Sequence, residues 1–328
     1  MSALPIHTTL NKLNANGVSL SLAELIRYKG LARQLNLRPA SAVRSSMAGA
    51  LSSKFKGRGM EFDEARHYQP GDDIRSIDWR VTARTGHTHT KVYREERERP
   101  VLVYIDLQAS MHFGTQLLYK SVQSAHAAAL VMFSALSRQD KIGCVVVDDT
   151  SDIERKPKST AKHVLGMLNQ VVEMHNNFNI SDLKTSQQHN NKSEDGITKL
   201  ATLAKPGTLV YVISDFSQFS QRCFDALGKL QRHCEIKPLH VFDPIEHALP
   251  RVSGLQNVTL SNGFQDHSVT LGDNALAQQY RDNREVWQNG LHLRFAQMGI
   301  QLRNISAASP IEEQLVGTSG GLLLGEAP

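Results

Sequence analysis

Val101-Leu102-Val103-Tyr104-Ile105-Asp106 is an unbroken apolar run that stops on a carboxylate. Five consecutive apolar residues rich in β-branched types, bounded by a polar stop, read as a strand buried on both faces, the kind that parallel sheets covered by helices contain. The same rhythm continues downstream. Residues 117–137 read as a long helix, 141–147 as a strand, 159–172 as a helix, 209–213 as a strand, 218–231 as a helix and 236–242 as a strand. A long helix over 274–298 then leads into a strand at 300–305. Strands separated by helices predict an α/β fold with a doubly wound, mostly parallel sheet.

Upstream of Pro100 the rhythm is absent. Ser21-Leu22-Ala23-Glu24 has the form of a capping box and opens a helix that runs to about residue 36, before Pro39. Residues 40–59, with Lys54, Lys56 and Arg58 among glycines and serines, read as a mobile basic loop, and 88–96 as an edge or hairpin strand. The first 99 residues carry 17 Lys+Arg against 10 Asp+Glu, and the remainder 20 against 22. A basic front unit over 1–99 and an α/β domain over 100–328 are therefore expected. Within the latter, 174–195 is rich in Asn, Gln, Ser and His and reads as a flexible insertion. Two short alternating runs, 258–260 and 269–271, flank Asn262-Gly263 as a hairpin.

Composition removes several classes. Hydrophobic residues make up 40% and charged residues 21% of the 328, which is ordinary globular usage. No apolar run approaches the ~18 residues of a membrane span. No basic segment followed by an apolar one marks a secretory leader, so the cytoplasm is the expected compartment. Cys144, Cys223 and Cys234 are odd in number and form no C-x-x-C pair, which speaks against a disulfide framework or a cysteine zinc site. A Walker loop, a G-x-S-x-G elbow and a D-x-D phosphotransfer pair are all absent. No nucleophile has an identifiable base, so no catalytic residue and no enzyme activity is expected. His87 and His89 have strand-like spacing but no third ligand nearby, and read as exposed.

The densest motif is Arg66-His-Tyr-Gln-Pro70-Gly71-Asp72-Asp73-Ile74-Arg75-Ser-Ile77-Asp78-Trp79, followed by Ala83-Arg84. Pro70-Gly71 suits a tight turn, because proline fixes the first central φ and glycine accepts a positive second one. Asp72 or Asp73 can cap a short helical turn with Ile74, Ile77 and Trp79 facing a core, while the arginines and aspartates offer an ion-pair lattice. This reading makes the motif a clamp. The other reading makes Arg66, Asp72, Asp73, Arg75, Asp78, Trp79 and Arg84 a docking surface with Trp79 as anchor.

This motif, with Gly57-Arg-Gly-Met-Glu61-Phe62 before it and Asp106-Leu-Gln-Ala-Ser110-Met after it, closely resembles the signature of the bacterial family named domain of unknown function 58. The resemblance implies a von Willebrand factor A-like α/β domain and a protein partner of the MoxR-type AAA+ ATPase class. It also implies a magnesium site. Domains similar to von Willebrand factor A end the first strand in Asp-x-Ser-x-Ser and add a later threonine and aspartate. Here Asp106, Gln108, Ser110, Thr198 and Asp215 would correspond. Mg²⁺ prefers about six oxygens in an octahedral array, and Gln108 departs from that pattern because its amide also carries donors. Two readings stay open: retained magnesium, or a metal-free site with Gln108 hydrogen-bonded across Asp106 and Asp215.

The expected function is a non-enzymatic adaptor that presents its strand-end face to such an ATPase in the assembly or maturation of other proteins. A nucleic-acid-associated protein using the basic N-terminal region is the alternative. A metal-dependent hydrolase comes third, having aspartates but no organised acid-base pair.

Overall fold

The run at 101–106 forms the strand from which the sheet is built in both directions. The computed structural model describes residues 6–34, 60–95, 100–179, 192–250, 252, 254–261 and 266–316. Its strands are β1 (Met60–His67), β2 (His89–Glu95), β3 (Val101–Asp106), β4 (Ile142–Val147), β5 (Asp152–Lys158), β6 (Leu209–Ser214), β7 (Glu235–Phe242), β8 (Gln256–Ser261), β9 (Asp266–Leu271) and β10 (Arg303–Ser306). The helices are α1 (Ile6–Leu13), α2 (Leu22–Ile26), α3 (Tyr28–Gln34), α4 (Trp79–Thr85), α5 (Lys120–Ser137), α6 (Ala161–Asn176), α7 (Lys192–Leu203), α8 (Gln221–Gln231), α9 (Asn274–Gln297) and α10 (Ile311–Val316).

Six strands form one sheet in the order β10-β7-β6-β3-β4-β5. All neighbours are parallel except β5, which runs antiparallel to β4. The α/β, doubly wound and mostly parallel fold expected from the sequence is the fold observed. Side-chain alternation sorts β3 between two cores. Val101, Val103 and Ile105 join the cluster under α5 and α6, whereas Leu102 and Tyr104 join the one under α7, α8 and α9.

Edge strand β5 did not announce itself in the sequence. It carries Pro157, which an edge strand accepts because its outer side needs no ladder donor. Gly143 lies at the register shift between β4 and β5. A Cβ there would stand 2.5 Å from the Arg155 carbonyl oxygen, so the bulge requires glycine.

The boundary expected at residue 99 is corrected. The chain divides into one unit of Met1–Ala40 with Arg99–Pro328 and a second of Ser41–Glu98. Leu13, Leu20, Leu25, Tyr28 and Ala32 are buried in the same core as α5, so the first helices complete the sheet unit. The Ser21/Glu24 capping box forms as expected. Glu24 does a second job that spacing could not show: its Oε1 lies 2.6 Å from His126 Nε2 on α5, with both side chains buried.

The flexible insertion is also corrected. Helix α6 runs to Asn176 with Met174 and His175 buried, and α7 begins at Lys192 with Ser193 fully buried. Residues 180–191 lie outside the described residues, as does the basic stretch 40–59. The expected hairpin is present as β8 and β9.

The second unit pairs β1 with β2 in an antiparallel hairpin and carries a short turn at Ile74–Ser76 and α4. Strand β1 was absent from the sequence reading.

Candidate functional site

Asp106 ends β3 and Ser214-Asp215 end and follow β6. These two strands are neighbours. The chain proceeds from β3 to β4 on one side and later returns to place β6 on the other. The gap between β3 and β6 is thus the topological switch of the sheet, where open α/β sheets form a crevice.

Each carboxylate is held firmly. Asp106 is fully buried; its Oδ1 accepts from the Gln108 N–H at 3.0 Å and its Oδ2 from the Ser214 hydroxyl at 2.5 Å. Burial first, and then the neighbouring Asp215 carboxylate, pushes the Asp106 carboxyl up to about 7. Asp215 Oδ1 accepts from the backbone N–H and the hydroxyl of Ser217, at 2.9 and 2.7 Å. The turn behind it puts Phe216 at φ 57°, a left-handed conformation that non-glycine residues adopt at a cost. The Phe216 N–H donates to Ser214 Oγ at 2.8 Å, which helps hold that turn.

The partner of Asp215 is a residue missed in the sequence. Lys120, the first residue of α5 and 1% exposed, donates from Nζ to Asp215 Oδ2 and to Glu246 Oε1, both at 2.8 Å. A cation at a helix N-terminus opposes the helix dipole, so two carboxylates must offset both that and its burial. Burial alone would raise the Asp215 carboxyl, yet the Lys120 ammonium overrides it and holds that carboxyl below its ordinary range. Burial likewise depresses the Lys120 ammonium, and Asp215 with Glu246 more than reverse this. No motif marks Lys120: only the burial of every residue from Lys120 to Ala135 shows that this lysine requires a counter-charge.

The surrounding loops are tied to this centre. Glu246 Oε2 accepts from the Asp243 N–H at 3.0 Å, and Asp243 takes the Thr115 N–H at 2.8 Å and the Thr115 hydroxyl at 2.5 Å. Asp149, in the β4–β5 turn, accepts the Ala109 N–H at 2.7 Å and so fixes the 109–111 turn that carries Ser110. An open cavity of about 340 Å³ adjoins the β4–β5 turn, with Met174 and Phe178 among its apolar lining and Asp148, Asp149 and Glu173 among its acidic one.

The expected magnesium ligands do not assemble. Thr198 lies on the exposed side of α7, its hydroxyl donating to the Glu194 carbonyl at 2.8 Å. Gln108 does not bridge the aspartates; its Oε1 accepts from the Ser193 hydroxyl at 2.6 Å. Ser193, inside the stretch expected to be flexible, is therefore part of the site. Ser110 Oγ is the one oxygen of the expected set that is buried without a partner. Asp215 already has its cation. A divalent ion sharing Asp215 with that ammonium would face a like charge at about 4 Å, a repulsion of about 8 kcal/mol at an effective dielectric of about 20. The residues present do not fit magnesium.

The chemistry of the face is correspondingly limited. Of the histidines near this face, His240, which pairs with Ser214 in the sheet, is pushed down to about 4 by burial, and His112 to about 3 by burial and then by His175. His112 Nε2 lies 3.1 Å from the Leu107 carbonyl, and its ring stacks on Phe178 at 3.7 Å between centroids. It is paired with no serine among the described residues.

In the second unit, Gly71 adopts φ 108° and the Asp72 N–H donates to the Gln69 carbonyl, so the Pro70-Gly71 turn forms as expected. Arg66 pairs with Asp72 at 2.7 Å, Asp73 caps the 74–76 turn, and Asp78 caps α4 through the Arg80 and Val81 N–H groups. Asp78 is spent on that cap and makes no ion pair with an arginine among the described residues, contrary to a full lattice. Trp79 is 67% and Ile74 66% exposed, so the expectation that they face a core is corrected. The reason is local: Asp78 as N-cap starts α4 at Trp79, in a helix with no buried residue. Arg75 and Arg84 are exposed beside them. His89, expected to be exposed, is buried and lies opposite His67 of β1, ring centroids 4.5 Å apart.

The sequence model of the family described as "Protein of unknown function DUF58" matches residues 64–288. Uncharacterized proteins of Mycobacterium bovis and of Mycobacterium tuberculosis are each 33% identical to this chain over 118 residues, 36% of this chain and 37% of theirs. The match thus spans little more than a third of those relatives. Among solved structures, the conserved hypothetical protein BatB from Bacteroides thetaiotaomicron aligns over 68% of this chain and 96% of its own, with 11% identity and a TM-score of 0.37. An aerotolerance-related membrane protein from Bacteroides fragilis aligns over 68% and 98%, with 12% identity and a TM-score of 0.38. No helix among the described residues is long and apolar enough to cross a membrane.

Proposed function

This chain belongs to the family of unknown function whose model spans residues 64–288, and from that premise we propose that it is a non-enzymatic protein-interaction module whose strand-end face receives a protein partner. The partner class that best suits this reading is a MoxR-type AAA+ ATPase, with the chain acting as its adaptor in the assembly or maturation of other proteins. The single observation that carries it is the way the crevice is used: Asp215, Lys120 and Glu246 are committed to one another, and Asp106 to the Ser214 hydroxyl and the Gln108 backbone. Rigid polar loops are what remains outside, with Thr115, Gln116, Ser217 and Gln218 exposed. Loops fixed by a scaffold are where binding concentrates.

Asp215 is too deeply buried to touch a partner itself and acts by positioning the Phe216–Ser217 turn. The acidic rim of the adjoining cavity suits a basic side chain of the partner. Trp79 and Ile74 support a second contact, since an exposed tryptophan flanked by arginines has the composition of an interface anchor. The basic stretch 40–59 lies outside the described residues, and no structural observation favours the nucleic-acid alternative.

The test is recovery of partners on the tagged full chain from native cytosol, with and without ATP and Mg²⁺. A MoxR-type ATPase recovered by the wild type and lost with Gln116→Lys/Gln218→Lys supports the reading. Recovery dominated by nucleic acid and falling log-linearly with salt contradicts it.

A further inference from the structure

We infer that the ammonium of Lys120 is the resident cation of the strand-end site, occupying the electrostatic role that a divalent metal was expected to play, so that the face forms and keeps its charge balance without metal. This inference goes beyond the interaction reading and does not rest on it.

Three independent observations carry it. The ammonium is within hydrogen-bond distance of two carboxylates from different loops, Asp215 after β6 and Glu246 after β7, at 2.8 Å each. Its side chain is 2% exposed, so its charge is balanced by these two carboxylates rather than by bulk solvent. The ligand set meanwhile has been dispersed: Gln108 Oε1 is taken by Ser193, Thr198 lies on the outer side of α7, and both Asp106 oxygens have donors.

The lysine also does something a surface-bound ion would not. It fixes the N-terminus of the central helix to the loops after β6 and β7, and the Tyr119 N–H just before it donates to the Gly17 carbonyl at 2.8 Å. The N-terminal segment and the strand-end loops thereby meet at one helix end. A bound metal ion can be removed by a chelator, whereas this cation is covalently part of the chain.

The probe is Mn²⁺, read by electron paramagnetic resonance on the full chain, with melting temperatures taken in EDTA and in Mg²⁺. For the wild type the inference predicts no saturable Mn²⁺ binding to about millimolar concentration and the same melting temperature in both buffers. Lys120→Met, of similar length but uncharged, is expected to melt earlier and to bind Mn²⁺ at least ~10-fold more tightly than wild type, since Asp215 and Glu246 lose their cation. Saturable wild-type binding that Asp215→Asn abolishes overturns the inference, and that result is readable even if Lys120→Met does not fold. A folded Lys120→Met that melts like wild type and gains no Mn²⁺ affinity overturns it as well. Neither outcome depends on whether a partner is recovered, so its failure and that of the interaction reading are distinguishable.

Discussion

Asp106 and Asp215 are the same residue type a few ångströms from the same crevice, yet their carboxyls are displaced in opposite directions. Burial and the Asp215 charge raise Asp106 from 3.8 to about 7, while Lys120 holds Asp215 low. The sign of each contribution to stability follows. For Asp106 the folded state keeps a proton that the unfolded state has lost, so stability from this group is present below about pH 4 and falls as pH rises towards 7. For Asp215 the contribution is present above the unfolded value and lost as pH falls through the folded one. Asp106→Asn should therefore flatten the decline in urea midpoint between pH 4.5 and 7.5, a range set about the two values of Asp106. An undiminished decline would show that another group carries it. The sequence made both aspartates legible because each ends an apolar strand. It hid Lys120 and Ser193, because neither sits in a motif and only tertiary burial reveals what they contact.

At the scale of elements, two close approaches decide where helices can lie. Gly196 on α7 faces the sheet so closely that a Cβ would stand 2.5 Å from Val147 Cγ2 and 2.8 Å from Tyr104 Cε2. Gly196→Ala should cost about 1–3 kcal/mol by overpacking, read as a lower denaturation midpoint; no change would mean that α7 lifts freely. Because Ser193 on the same helix holds Gln108, the variant should also alter the strand-end loops. On the opposite face, Glu24→Ala leaves His126 buried without its partner and should cost about 1–3 kcal/mol. Faster amide exchange in α2 and α3 than in β3 would locate that loss.

Strand-helix periodicity revealed the central elements because both faces of β3, β4 and β6 are buried and their apolar runs are uninterrupted. It failed for β5, whose residues are largely exposed and include a proline, and for β1, where charged residues outnumber apolar ones. The 174–195 stretch misled for a related reason: polar residues such as His175 and Ser193 are buried, with His175 Nε2 hydrogen-bonded to the Val18 carbonyl and the Ser193 hydroxyl to Gln108 Oε1, and composition alone cannot distinguish that from solvation.

For the whole molecule, the two units use the sequence differently. The sheet unit buries Lys120 with Asp215 and His126 with Glu24, and the smaller one leaves Trp79 exposed. Trp79→Ala should accordingly shift the denaturation midpoint by no more than about 0.5 kcal/mol, as surface substitutions do, while reducing partner recovery. A loss of several kcal/mol would restore the clamp reading of the motif.

The proposed role of the strand-end face is to receive a protein partner. Biolayer interferometry of the immobilised full chain against a purified MoxR-type ATPase from the same cell, at low and high salt, tests it most directly. Saturable binding is expected at both salt concentrations, weakened at least ~10-fold by Gln116→Lys/Gln218→Lys at both, since buried contacts are screened far less than exposed charges. Binding by that variant indistinguishable from wild type, with circular dichroism showing both folded, would contradict it.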